Sequence, residues 1–230
     1  MTNKSLIKKL NLSDGDFEAI RSAVAAAESK TTGEIDVAVT AESDRYSFWE
    51  LLWANILSAL VLVILIPFSD KIMSLYQRIY WNNAPAWTLT AFFLIVCFIV
   101  IIAGFYLGNI SAVDRLIIPR MEKSRCVSNR AMRCFAESGV YETKEHSGIL
   151  IFVSYMEREV RIIADKGIAA KISQDLWNLI ADDMCADLKK GDFSKAFVNA
   201  IEKCGKLLEE NFPAHEENPN ELPDGLVIVE

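Results

Sequence analysis

Residues 51–68 read LLWANILSALVLVILIPF, an apolar run interrupted only by Asn55 and Ser58. A bilayer core about 30 Å thick takes about 20 apolar residues as a helix. The run is just long enough to cross, and Pro67 marks its end. A second run, Trp87 to Ile110, is longer and can span with some tilt. Trp49 and Trp53 stand at one end of the first run, while Tyr80, Trp81 and Trp87 stand near the opposite membrane surface. Aromatic rings favour the headgroup level because one part is apolar and another can bond water. Trp49, Trp53, Trp81 and Trp87 are therefore read as membrane-interface anchors, within a transmembrane hairpin over residues 49–110.

Composition agrees. The chain has 230 residues, 52% of them hydrophobic, and a mean hydropathy of +0.21. Residues 51–110 carry only Lys71, Arg78 and Asp70 as charges, so the rest of the chain is acidic. This excludes a fully soluble protein, a disordered one and a general nucleic-acid binder, which would be basic. The first apolar run begins after a charged, amphipathic segment, and residues 1–30 contain no export signal.

Lys and Arg near the spans set the orientation. The loop from Ser69 to Ala86 holds Lys71 and Arg78. Arg45 precedes the first span, and Arg115, Arg120, Lys123, Arg125 and Arg130 follow the second. Both termini are expected on the cytoplasmic side of an inner membrane, with the loop outside. Five cysteines without a CxxC pair suit a reducing compartment. His146 and His215 have no partner at ligand spacing, so they read as surface histidines rather than zinc ligands. Arg115, Arg120, Lys123 and Arg125 directly follow a span, and contact with anionic lipid headgroups is their expected role beside topology signalling. In the loop, Ile72, Leu75, Tyr76, Ile79 and Tyr80 recur at helical spacing. They form either a short interfacial helix or an apolar connector.

Working outward, Ser13 and Asp16 resemble a capping box. Phe17, Ile20, Val24 and Ala27 mark one face of a helix to about Lys30. Glu34 to Ala41 alternates as a strand, with Ile35, Val37, Val39 and Ala41 opposite Glu34, Asp36 and Thr40. After the hairpin, Asp114 to Met121 is expected to continue or cap the second span. Val127, Ala131, Cys134 and Phe135 mark a helix ending near Gly139. Gly148 to Tyr155 is a continuous apolar strand, typical of one buried on both faces. Val160 to Ala164 returns as its hairpin partner. Two further helices run through Ile172 to Met184 and Phe197 to Leu208.

One helix and one strand cannot make a stable domain alone. A hairpin returns the chain to the side it left, so both soluble segments can close into one α/β domain with a mixed sheet covered by helices. Residues 1–48 and 111–213 are read as its two parts. The other arrangement is two separate pieces with a small N-terminal arm. Residues 214–230 form an acidic tail ending in Leu226-Val227-Ile228-Val229, read either as a strand added to a sheet edge or as a frayed terminus.

Ala19 to Val39, AIRSAVAAAESKTTGEIDVAV, resembles the opening of the TPM domain family. Phe135 to Tyr155, FAESGVYETKEHSGILIFVSY, resembles its second half, followed by VRIIADKGI and a Gly191-Asp192-Phe193 helix break. The resemblance covers the two soluble segments, about 130 residues, and not the hairpin; a bacterial subset with paired spans inside the domain is most similar. It implies an α/β sandwich with a small mixed sheet. Family functions are diverse, including a plant thylakoid acid phosphatase, a photosystem repair factor and an animal receptor modulator. Most members are lumenal or extracellular, whereas the flanking charges here place the domain in the cytoplasm.

Two functions follow as expectations. The first is a non-enzymatic tethered module for interaction or assembly, whose partners are the lipid bilayer and another membrane protein or a second copy. The second is a phosphatase-like hydrolase dependent on a divalent metal. Phosphate-ester hydrolysis needs acid groups for proton transfer or for holding a metal. Glu34, Asp36 and Asp165 are the candidates, as hard oxygen ligands for Ca²⁺ or Mg²⁺ if their strands are neighbours. Otherwise Glu34 and Asp36 face solvent on an edge strand and Asp165 caps a turn. No Ser-His-Asp signature or Gly-rich phosphate loop is present. The cysteines outside the spans, Cys126, Cys134, Cys185 and Cys204, read as small core residues.

Overall fold

A computed structural model describes residues 3–80, 85, 87–143, 146–214 and 225–229. The chain divides into two compact units, residues 1–44 with 121–230, and residues 45–120.

The first unit is built on a four-stranded sheet of β1 (Glu34–Thr40), β2 (Gly148–Ser154), β3 (Glu159–Ala164) and β4 (Leu226–Val229), in the order β3-β2-β1-β4. β1 runs parallel to β2, with Glu34 opposite Gly148 and Thr40 opposite Ser154. It also runs parallel to β4, while β2 and β3 are antiparallel. Parallel neighbours need a long crossover, and the chain between β1 and β2 contains the whole apolar hairpin. β1 is therefore an inner strand, and all seven of its residues are buried. The edge-strand reading of Glu34 and Asp36 is overturned, because β4 takes the edge beside β1.

Helices α1 (Asn3–Leu10), α2 (Asp14–Glu28), α9 (Gln174–Leu188) and α10 (Phe193–Asn211) contribute to one core with the odd-numbered side chains of β1 and β2. Helix α7 (Arg120–Glu137) covers the other face, where Val127, Ala131, Cys134 and Phe135 meet Ala38, Leu150 and Phe152. The domain is α/β, a mixed sheet covered by helices. Ser13 caps α2 in a capping box: its backbone N–H donates to Asp16 Oδ2 at 2.8 Å, and its Oγ accepts from the Asp16 N–H at 3.4 Å. Such caps contribute about 1 kcal/mol. The one-turn helix α8 (Lys166–Ala169) follows β3. The amphipathic N-terminus is itself a helix, α1, and Leu6, Leu10 and Leu12 enter the main core.

The second unit contains α3 (Ser47–Leu65), α4 (Ser69–Tyr80), α5 (Trp87–Gly108) and α6 (Ser111–Ile117). The stretches Ser47–Ile79 and Trp87–Gly108 are long and apolar enough to cross a membrane, and only 11% and 6% of their most apolar windows are buried. The region from Asp114 to Met121 departs from the sequence reading. The chain leaves α5 after Gly108, α6 forms separately behind an extended Ile110, and Ile118 is extended ahead of Pro119. The residue before a proline disfavours helix, so α7 starts afresh at Arg120. Within the segment read as a loop, Ser69–Tyr80 is a helix, α4, which continues the stretch Ser47–Ile79.

Small residues let α3 and α5 approach closely. Glu50, Ala54 and Ser58, one turn apart, form the buried stripe of α3. A Cβ on Gly104 would lie 3.2 Å from Ala54 Cβ, and one on Gly108 3.4 Å from Glu50 Cβ. Gly104 and Gly108 form a GxxxG pair, a spacing suited to close helix contact in membranes. Ser58 Oγ donates to the Cys97 carbonyl at 3.5 Å, whereas Asn55 bonds its own helix at Leu51.

Candidate functional site

Glu34 and Asp36 lie on one face of β1, beneath α7, opposite Gly148 and Leu150 of β2. Burial pushes the Asp36 carboxyl above its usual range, and a hydrogen bond from Ser138 partly opposes this. The neighbouring Cys134 thiol is pushed up to about 11, first by burial and then by the Asp36 charge.

Asp165 has a different task. Its Oδ1 accepts from the Lys166 N–H at 2.6 Å and caps α8, while its Oδ2 lies 3.0 Å from His146 Nδ1. Its backbone N–H donates to the Gly148 carbonyl at 2.9 Å. Because β3 is antiparallel, its carboxyl end lies beside the amino ends of β1 and β2. Ligands in open α/β sheets collect beyond the carboxyl ends of parallel strands, so Asp165 stands at the opposite end. Among the described residues, no group of three His, Cys, Asp or Glu side chains could hold a metal ion. Glu34, Asp36 and Asp165 thus share a region of the sheet without forming a ligand cluster.

The sequence missed the pairing of His146 with Asp165. Nineteen residues separate them, and only the β2–β3 hairpin brings them together. His146 also has φ 51°, a conformation that non-glycine residues seldom adopt.

The carboxyl ends of β1 and β2 hold a polar network. Glu157, nearly buried, accepts from the Ser43 N–H at 2.8 Å and from Ser154 Oγ at 2.5 Å. Ser43 Oγ and Ser154 Oγ are 2.8 Å apart. Nearby on β3, Arg161 bridges Glu159 and Ser124. Cys126 Sγ donates to Asp44 Oδ2 at 3.6 Å. The Ser43 bonds fix the loop after β1 to the β2–β3 turn, while those of Cys126 and Arg161 tie α7 to that loop and to β3. Beside them opens a cleft of about 190 Å³, lined by Tyr155, Arg158, Cys185, Leu188, Lys189 and Phe193 among others.

A family model described as TPM domain matches residues 112–207. The chain carries a TPM domain. The match includes β2, β3, α7 and the cleft, and ends within α10. The chain is also similar to a solved structure, the NMR structure of BA42 protein from the psychrophilic bacterium Bizionia argentinensis, with a TM-score of 0.54. That likeness covers 95% of each chain at 21% identity, and it shows the fold alone. No curated protein matches.

The expected lipid contacts lie at the start of the TPM match. Arg115 is on α6, where its Nε donates to the Ser111 carbonyl at 3.0 Å. Arg120, Lys123 and Arg125 fall in the first turns of α7, and Arg125 pairs with Glu122 at 2.6 Å. Of the expected interface anchors, Trp53 and Trp87 are exposed to 38% and 68%, and Trp49 is half-buried. Trp81 and His215 lie outside the described residues. Outside α5, Cys126, Cys134 and Cys204 are buried, while Cys185 is half-buried in the cleft wall.

Proposed function

We propose that this protein is a two-span membrane protein whose TPM domain works as a tethered interaction or assembly module, binding another membrane protein or a second copy. The observation that carries this reading is the hairpin's combination of composition and exposure. Stretches with mean hydropathies of 2.5 and 2.8 leave nearly nine-tenths or more of their most apolar windows unburied by the chain itself. Exposure of that much apolar surface to water is unfavourable by roughly 25 cal/mol per Å², and lipid removes the cost. The hairpin is inserted in the crossover between two paired strands. Both of its ends therefore connect to the same domain, an arrangement suited to tethering that domain. The flanking charges support an inner-membrane location with both termini cytoplasmic.

The test is crosslinking in intact membranes, followed by gentle solubilisation and mass analysis. A reproducible adduct, with a partner or a second copy, is the expected result. A protein that emerges repeatedly as a lone monomer overturns the module reading.

The pairing of His146 with Asp165 favours a second reading, a phosphatase-like hydrolase. A His–carboxylate pair can position a proton-transferring imidazole. This reading expects hydrolysis of phosphate esters in the presence of Ca²⁺ or Mg²⁺, lost in Asp165→Asn. Inactivity with every divalent ion tried rules it out.

A further inference from the structure

The cleft beyond the carboxyl end of β2 has a composition unlike the rest of this acidic chain. Its floor and walls include Val153, Leu188 and Phe193, and the Tyr155 and Phe193 rings lie 6.4 Å apart. Two cations, Arg158 and Lys189, line the same space. Among the described residues neither is joined to a carboxylate, and Lys9 Nζ lies 5.9 Å above the Tyr155 ring. Glu159 also lines the cleft, but its Oε1 is already bonded to Arg161 and Ser124. Arg158 has φ 56°, held in the turn between β2 and β3. Strained non-glycine residues persist where the surroundings fix them, and they concentrate at binding sites.

We propose that this cleft binds a small monocarboxylate with an aryl or branched alkyl body. Arg158 and Lys189 hold the carboxylate, and Leu188, Phe193 and Val153 cover the body. A cavity of about 190 Å³ is smaller than most drug-sized sites, which limits the ligand to a single ring or short branched chain. A carboxylate fits better than a phosphate because of α10. Phosphate sites draw on open helix N-termini, and here Asp192 already caps α10, its Oδ1 accepting from the Lys195 N–H at 3.2 Å. That carboxylate opposes a dianion at the same helix end. Cys185 lines the wall as a thiol whose pKa burial raises, so it contributes contact surface rather than a thiolate nucleophile.

The probe is 4-fluorophenylacetate, followed by ¹⁹F line broadening against the full chain in phosphatidylcholine nanodiscs. Saturable binding is expected. The pair Arg158→Gln with Lys189→Gln should weaken it at least tenfold while leaving the melting temperature unchanged. The conservative pair Arg158→Lys with Lys189→Arg should stay within threefold of the parent. Acetate and 4-fluorobenzyl alcohol should each compete at least tenfold more weakly than unlabelled phenylacetate, since each lacks one half of the recognition. Three results overturn the proposal: no saturable broadening, equal binding by the glutamine pair, or stronger competition by inorganic phosphate than by phenylacetate. Loss of binding on adding phosphatidylglycerol to the discs assigns the cations to lipid headgroups and overturns it as well.

Discussion

Gly148 has no room for a side chain. A Cβ there would sit 2.5 Å from Val140 Cγ1 and closer still to the Val140 carbonyl oxygen. The residue starts β2, pairs with Glu34 and accepts from Asp165 through its carbonyl, so the backbone cannot easily retreat. Overpacking of this kind costs about 1–3 kcal/mol. Gly148→Ala should therefore lower the melting temperature by roughly 2–4 °C per kcal/mol at this chain length, and an unchanged melt would refute the close approach. Asp36 gives a prediction with pH. Its folded-state pKa lies above the usual 3.8 because burial disfavours the charge. The folded chain then holds that proton more tightly than the unfolded one. The contribution to stability is full below the unfolded pKa and is lost as pH rises through the folded one. Asp36→Asn should melt higher than the parent at pH 7, with the gap closing as pH falls towards 3.8. Melts across that range check both the sign and the convergence.

At the scale of elements, the tightest contact is between α3 and α5. The 3.2 Å Cβ spacing between positions 54 and 104 is slightly below the roughly 3.8 Å mean of a disulfide, so a small shift accommodates one. Ala54→Cys with Gly104→Cys, in a chain whose native cysteines are alanine, should form an intramolecular disulfide on mild oxidation. A gel shift on reduction reads it, and failure to form would mean the helices do not meet at this point. Such contacts show which parts of the fold were legible. Periodicity revealed α2, β1, β2, β3 and the apolar helices, because each carries a repeat of 2 or 3.6 residues or a continuous apolar run. Gly104 and Gly108 are readable as a GxxxG pair, a spacing that hydropathy does not register. The placement of β4 was not settled, since a four-residue apolar tail fits a strand or a free end equally well until β1 shows an open side. The pairing of His146 with Asp165 and the cleft at Arg158 and Lys189 depend on strand direction. An antiparallel β3 reverses the end at which Asp165 stands, and no local pattern in the sequence carries that information.

For the whole molecule, sheet topology and membrane topology constrain each other. β1 and β2 exchange hydrogen bonds along their full length, so residues 40 and 148 must lie on the same side of any membrane that the chain crosses. An even number of crossings between them is required, and the two apolar stretches, Ser47–Ile79 and Trp87–Gly108, supply two. The choice of side then rests on charge. Arg45, Arg115, Arg120, Lys123, Arg125 and Arg130 flank the outer ends of the spans, against Lys71 and Arg78 between them. Positively charged flanks stay in the cytoplasm, so the domain should be cytoplasmic and the segment around α4 outside. A fluorescent reporter that matures only in the cytoplasm should therefore light up when fused after Glu230. A phosphatase reporter active only outside should work when fused after Tyr80 and fail after Glu230. The reverse pattern would place the TPM domain outside and remove the charge argument. Activity of the same reporter at both positions would mean that the second stretch does not cross, leaving either a single crossing, which contradicts the pairing of β1 with β2, or none, which removes the two-span reading.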